Sequence, residues 1–228
     1  MKNKIQIAIF LTPLFTFAQA ETDMESFVNT LSIQNTVVEA NAIRTFDNRY
    51  KGVAGHPYLF DELRHLVVTN NKGSAFSVYG NYNLQENVLV LLTKTNTLKK
   101  IPTENIKTFS YTHSGVTSSF IKKAGSFVEN YFEGTNFSLL RGYSKEISKA
   151  DFKGAYSSGK NQDSFKTEIT YHISTDTINK EIKLNIRSLA EVLRKDEGTL
   201  KTLAKTNGLK IKRSEDILPF LKLIDESV

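Results

Sequence analysis

Apolar side chains recur at every second position over much of this chain, from about residue 67 to about residue 186. Successive side chains of a strand point to opposite sides of the sheet, so this spacing is typical of strands with one buried face. In the clearest run, one side of the strand carries Phe165, Thr167, Ile169, Tyr171 and Ile173. The residues between them are polar or charged. The pattern predicts a largely β fold rather than a helical bundle.

Short polar turns separate the alternating segments, an arrangement that favours antiparallel neighbours over crossover connections. The predicted strands cover residues 66–69, 75–82, 87–93, 97–101, 106–111, 126–132, 137–143, 165–173 and 182–186. We therefore expect an α+β protein, with a mainly antiparallel β meander or a partly closed barrel and a small C-terminal helical segment. The β-rich domain is predicted to span 21–186.

The spacing of apolar residues changes to a helical one in the segment 187–228, which we expect to pack on or beside the sheet. Ser188 and Glu191 have the spacing of a capping box, which predicts that a helix begins at Ser188. A last helix is predicted after Asp216 as N-cap. That start places Pro219 in the first turn, where its missing N–H costs little.

The first twenty residues have the pattern of a secretory signal peptide. Two early lysines and an apolar run over 5–17 precede the small-x-small sequence Ala18-Gln19-Ala20, and cleavage would leave Glu21 as the first residue. The apolar run is too short to span a bilayer. The sequence therefore predicts export to the periplasm, the outer envelope or the outside of the cell.

Composition restricts the possible functions further. Removal of residues 1–20 lowers the formal charge from +6 to +4, too small an excess to indicate a nucleic-acid partner. With no cysteine, disulfides, thiol nucleophiles and thiolate metal sites are excluded. No later apolar run approaches the length of a membrane helix, so no transmembrane segment is expected in the mature chain. No cofactor is implied.

Two short motifs resemble catalytic ones but lack their context. Gly154 to Lys160 has the glycine and lysine spacing of a phosphate loop, yet Asn161 stands where Mg²⁺ binding requires Ser or Thr. Residues 119–122 and 157–160 fit Ser-x-x-Lys without the accompanying motifs of penicillin-binding enzymes. We interpret these segments as turns and packing elements.

Four histidines are the remaining candidates for chemistry: His56, His65, His113 and His172. None of their spacings matches a metal-binding pair, so no metal site is predicted. Hydrolase activity would need His56 or His113 to meet an acid and a serine through the fold.

Aromatic side chains and short basic clusters are candidates for a binding surface, although aromatics at strand spacing more often belong to a core. The aromatics that could line a sugar or lipid groove are Tyr79, Tyr82, Tyr111, Tyr131, Phe132 and Tyr143. The binding-surface candidates that we select are His56, Tyr58, Tyr82, Lys122 and Lys123.

Three stretches together resemble a group of exported proteins of unknown function from Bacteroidota. They are the sequence from Gly55 to Glu62, the sequence from Phe152 to Lys160, and the helical ending from Leu189 onward. The resemblance implies a β-rich body with a helical end, located in the periplasm or outer envelope, and it supplies no active site. His56 departs from the small residue expected before Pro57, which makes it worth testing.

These observations favour a non-catalytic exported envelope protein that binds an envelope partner or a surface glycan. One alternative is a carrier that holds a lipid or another apolar ligand inside a curled sheet. A second alternative is an uncharacterised hydrolase.

Overall fold

The computed structural model describes residues 35–36, 50–150 and 162–227. Within them the chain forms one antiparallel sheet of 11 strands that is not closed, followed by three α-helices. The predicted α+β class with a mainly antiparallel sheet is confirmed.

The element bounds are as follows. The strands are β1 Asn35–Thr36, β2 Arg64–Asn70, β3 Ala75–Asn83, β4 Val88–Leu92, β5 Leu98–Pro102, β6 Ile106–His113, β7 Val116–Lys123, β8 Ser126–Glu133, β9 Ser138–Ser148, β10 Ser164–Ser174 and β11 Asn179–Ile182. A 3₁₀ turn, Thr103–Asn105, separates β5 from β6. The helices are α1 Ile186–Leu193, α2 Glu197–Thr206 and α3 Ser214–Glu226.

Two meanders meet in the middle of the sheet. The spatial order is β1-β5-β4-β3-β2-β6-β7-β8-β9-β10-β11, so β2 and β6 are neighbours although three strands separate them in the chain. Leu66 of β2 lies opposite Tyr111 of β6 in this pairing. The meander prediction therefore describes β2–β5 and β6–β11, the β2–β6 pairing joins these two parts, and β1 adds to the sheet beside β5.

The first meander curls until β3 contacts β8, although β2, β6 and β7 lie between them in the sheet. The Tyr82 hydroxyl accepts a hydrogen bond from the Phe127 backbone N–H at 3.3 Å, and the Asn87 side-chain amide donates to the Gly125 carbonyl at 2.9 Å. The curl encloses a first core of buried side chains: Leu66, Val68, Phe76, Val78, Tyr82, Leu89, Leu91, Ile101, Ile106, Phe109, Phe120 and Phe127.

A second core lies where the C-terminal helices cover the other end of the sheet. Leu139 and Ile173 from the strands pack there with Leu189 of α1 and Phe220 of α3, all at most 1% exposed. The helices bury apolar stripes of their own, which could not remain in water without a large free-energy cost. The helical segment and the β8–β11 part of the sheet therefore share one core.

Several details differ from the sequence-based predictions. Strand β7 was not predicted, because its polar side chains interrupt the apolar alternation on both faces. The last strand ends at Ile182 rather than at residue 186. The first helix is capped by Asn185, whose side chain accepts from the Ser188 backbone N–H at 2.9 Å, so the capping box starting at Ser188 is wrong.

The start of α3 also differs. The helix begins at Ser214, and Pro219 lies inside it rather than in its first turn. Asp216 does not cap this helix, because its carboxylate accepts from the Lys210 backbone N–H at 2.9 Å. Pro219 is exposed, so water can satisfy the carbonyl that its missing N–H leaves unpaired.

Candidate functional site

A row of cross-strand neighbours changes from apolar to charged at β8 and β9. Phe109 lies opposite Phe120, Phe120 opposite Glu129, Glu129 opposite Arg141, and Arg141 opposite Tyr171. Directly opposed residues in an antiparallel sheet share one face, so this row runs continuously across five strands. A charged pair therefore stands on the face that carries the two cores.

Glu129 and Arg141 form a close ion pair beside a tyrosine. Glu129 is only 3% exposed, and its Oε2 accepts from Arg141 Nε at 2.8 Å and from the Tyr143 hydroxyl at 2.6 Å. Arg141 Nη2 lies 2.7 Å from the same oxygen. Charge-assisted hydrogen bonds of this length compensate a buried carboxylate for its lost hydration.

A β-bulge places Tyr131 against the guanidinium. The register between β8 and β9 shifts between Asn130 and Phe132, so Tyr131 is the extra residue of β8. Arg141 Cζ lies 4.1 Å from the centre of the Tyr131 ring, a cation–π contact. Bulges commonly redirect a side chain near functional sites, and this one brings an aromatic ring to Arg141.

The surroundings keep the tyrosines neutral and the arginine charged. Burial raises the pKa of Tyr143, and its hydrogen bond to Glu129 raises it further. Burial also raises the pKa of Tyr131, although the positive charge of Arg141 opposes the change. Burial alone would lower the pKa of Arg141, but Tyr143 and Glu129 raise it above its ordinary value. Near neutral pH the cluster therefore holds a charged guanidinium and two neutral phenols around the Glu129 side chain.

One edge of the guanidinium remains available. The contacts with Glu129 use Nε and Nη2, and Arg141 Nη1 has no acceptor within the described part of the chain. The Arg141 side chain is 23% exposed. The group is thus held by Glu129 through Nε and Nη2, while the two N–H donors of Nη1 are not used in that contact.

Neighbouring side chains extend this site along the sheet. Ile169 lies opposite Tyr143 and is 47% exposed, and Tyr171 is half-buried. We call this surface the Arg141 face, comprising Tyr131, Arg141, Tyr143, Ile169 and Tyr171. It lies between the two cores, since Tyr143 packs against the first and Tyr131 and Tyr171 against the second.

The predicted aromatics divide between this face, the cores and the opposite surface. Tyr131 and Tyr143 belong to the Arg141 face, and Tyr111 packs at the edge of the first core beside Phe120. Phe132 packs against the second core. Tyr79 is 54% exposed and contacts the His65 ring, away from the Arg141 face.

The five selected binding-surface candidates do not form one surface. Tyr82 is 2% exposed and His56 is 8% exposed, so both are packed in the interior, while Tyr58 is half-buried. Lys122 donates to the Thr103 carbonyl and lies 5.8 Å from the Phe127 ring centre. Lys123 is exposed at the end of β7.

His56 has a structural environment rather than a catalytic one. Its Nδ1 accepts from the Tyr58 backbone N–H at 3.2 Å, and its Nε2 lies 3.0 Å from Asp61 Oδ1. With Nδ1 accepting, the proton resides on Nε2 and is donated to Asp61. Neither ring nitrogen is left to take a proton from a serine, which weighs against His56 as the base of a hydrolase.

The other histidines likewise give little support to catalysis. His65 Nε2 lies 2.9 Å from Ser77 Oγ on an exposed sheet surface, a contact that the sequence analysis missed because it depends on the β2–β3 register. His113 ends β6 and is exposed. His172 is half-buried on the face of β10 opposite that of Tyr171. In the described ranges, no group of three or more histidines and carboxylates could hold a metal ion.

The structure describes only one of the two Ser-x-x-Lys segments, and it does not describe the leader. Ser119 and Lys122 are three positions apart on β7, so their side chains point to opposite faces and cannot pair. Three predicted features lie outside the described residues: the segment 157–160, the phosphate-loop-like stretch from Gly154 to Lys160 with Asn161, and the leader with Ala18, Ala20 and Glu21.

Among the helices that the structure describes, none is long and apolar enough to cross a membrane. No family model matches the chain, and comparisons with curated proteins and with solved structures also give no significant match.

The residues that make the site could not be found by motif. Glu129 and Arg141 are twelve positions apart and meet through the β8–β9 register. The sequence indicated only the aromatic residues around this pair, and Tyr131 and Tyr143 are among the aromatics predicted to line a groove.

Proposed function

We propose that the chain is an exported, non-catalytic envelope protein that binds a surface glycan through the Arg141 face. Export is supported by the leader pattern in residues 1–20. The observation that carries the binding proposal is the geometry of Arg141. A buried carboxylate and an aromatic ring hold its guanidinium, while Nη1 meets no acceptor among the residues that the structure describes.

The chemistry of the face suits a sugar. Sugars present hydroxyl oxygens at their edges and C–H groups on their faces, so they match donors set among apolar side chains. Arg141 supplies the donors, while the exposed Ile169 and the half-buried Tyr171 supply apolar area. A guanidinium that is already fixed loses little side-chain entropy on binding.

The packing of the first core weighs against the alternative of an apolar carrier. Phe109 stacks on Phe120 with ring centres 4.4 Å apart, and Phe127 meets Phe109 edge-on at 5.0 Å. All three rings are at most 2% exposed. Aromatic side chains thus fill the part of the curl where a lipid would have to lie.

Binding of purified protein to a panel of envelope and plant glycans, followed by calorimetry, tests the proposal. Ile169→Lys should weaken binding by about tenfold or more, because a charged chain would replace apolar contact area. Ile169 is already exposed, so this variant should fold normally. Arg141→Gln should abolish binding, with folding checked by circular dichroism.

The chain offers a matched control for Arg141. Arg64 Nη1 lies 3.2 Å from Glu62 Oε1 in a more exposed ion pair, so Arg64→Gln removes a paired arginine that is not one of the five residues of the Arg141 face. It should bind as the wild type does. A wild-type protein that binds no glycan, or binding that Ile169→Lys leaves unchanged, would contradict the proposal.

A further inference from the structure

The positive charge of the Arg141 face is balanced by a buried carboxylate next to it. Arg141 carries the one positive charge, and the buried Glu129 lies against it at 2.7 Å. Tyr131 and Tyr143 remain neutral hydroxyl groups. The next charged side chain along this face of β9, Lys145, donates to the His56 carbonyl at 3.1 Å.

This balance affects anions and neutral ligands differently. An anion at Nη1 would be attracted by Arg141 but repelled by the Glu129 carboxylate. Because Glu129 is buried, water screens this repulsion only weakly. It would also have to leave water, where anions are strongly hydrated. A neutral hydroxyl oxygen accepts from Nη1 without that repulsion and loses less hydration free energy than an anion does.

We infer that the Arg141 face takes an uncharged oligosaccharide in preference to an acidic one, an inference that rests on the proposed glycan-binding function. Nη1 donates to a sugar hydroxyl oxygen, and Ile169 and Tyr171 contact the C–H face of a ring. Glu129 acts as a positioning residue, because it is buried and holds Arg141 rather than reaching the ligand.

Titration of the processed protein with neutral and acidic polysaccharides over a range of salt tests this inference. Laminarin and chitin oligomers serve as neutral probes, and polygalacturonate and alginate serve as acidic ones. Raising NaCl from about 0.02 M to about 0.5 M shortens the Debye length several-fold and weakens attraction between opposite charges. For a neutral ligand, the Kd should change less than about twofold over this range.

The outcomes separate the inference from the function on which it rests. Binding of a neutral probe that is insensitive to salt and weakened about tenfold or more by Ile169→Lys supports both. Tighter binding of an acidic probe that is weakened by salt and by Ile169→Lys overturns the inference but leaves glycan binding in place. Binding of neither class overturns both.

Discussion

Gly134 lies directly against the Asp225 carboxylate, so close that an added β-carbon would sit 2.5 Å from Asp225 Cγ. The same carboxylate accepts from the backbone N–H groups of Thr135 at 2.7 Å and Asn136 at 2.8 Å. The β8–β9 turn and the last turn of α3 are thereby joined, and the helix is fixed over the second core.

Gly134→Ala should destabilise the protein by about 1–2 kcal/mol, because the methyl group would displace the carboxylate from its hydrogen bonds. Urea denaturation of the variant and the wild type measures the change. In an Asp225→Ala background the same substitution should cost much less. Equal costs in the two backgrounds would show that the contact does not matter.

The Asp225 anchor should make stability depend on pH in the acidic range. Burial tends to raise the pKa of Asp225, but hydrogen bonds from Asn136 and Thr135 outweigh it and hold the pKa below its ordinary value of 3.8. A folded-state pKa below the unfolded one gives stability that is present above the unfolded pKa. That stability is lost as pH falls through the folded pKa.

Asp225→Asn should therefore be less stable than the wild type at pH 7, and the difference should narrow as the pH falls below about 4. Denaturant unfolding curves at several pH values provide the measurement. A difference that stays constant down to pH 3 would rule out the Asp225 carboxylate as its source.

In the β7–β8 turn, Ala124 adopts a backbone conformation that is unfavourable for alanine. Ala124 has φ of 47° and is followed by Gly125 with φ of 87°, both in the left-handed region. Asn is much better suited to that conformation than Ala, so Ala124→Asn should stabilise the protein by about 1 kcal/mol. Thermal unfolding followed by calorimetry measures it.

Gly125→Ala is the opposing control for this turn. A β-carbon at Gly125 would meet nothing within 4 Å, so its cost would come from backbone strain. We expect a loss of about 1–2 kcal/mol. A gain in stability from this variant, or a loss from Ala124→Asn, would contradict the assigned turn conformation.

Removing Arg141 from the Glu129–Arg141 pair should lower the free energy of unfolding more than removing the charge of Glu129. Arg141→Met leaves a carboxylate that is 3% exposed without its cation, with an expected cost of about 3–5 kcal/mol. Glu129→Gln leaves a guanidinium whose side chain is 23% exposed and can reach water, so we expect about 1–3 kcal/mol.

The double variant Glu129→Gln/Arg141→Met should be more stable than the sum of the two single losses predicts, because neither charge is then left alone. Equilibrium urea unfolding of all four proteins gives the coupling. Additive losses would mean that the two side chains act independently.

The sequence predicted most strands because alternation is visible wherever one face is consistently apolar, as around Phe165 and Ile173. It failed where local signals conflict. Leu184 and Ile186 continue the alternation past Ile182, yet Asn185 caps a helix there. Register and bulges are decided by tertiary packing, so the meeting of Tyr131 with Arg141 had no local signal.

The pairing of β2 with β6 has a consequence for how the chain acquires its structure. From β6 to β11 every strand pairs with the next one along the chain, so that half can form one hairpin after another with small losses of loop entropy. Bringing Leu66 to Tyr111 instead closes a loop of many tens of residues. This closure is the step expected to limit the refolding rate, since long-range contacts slow two-state folding.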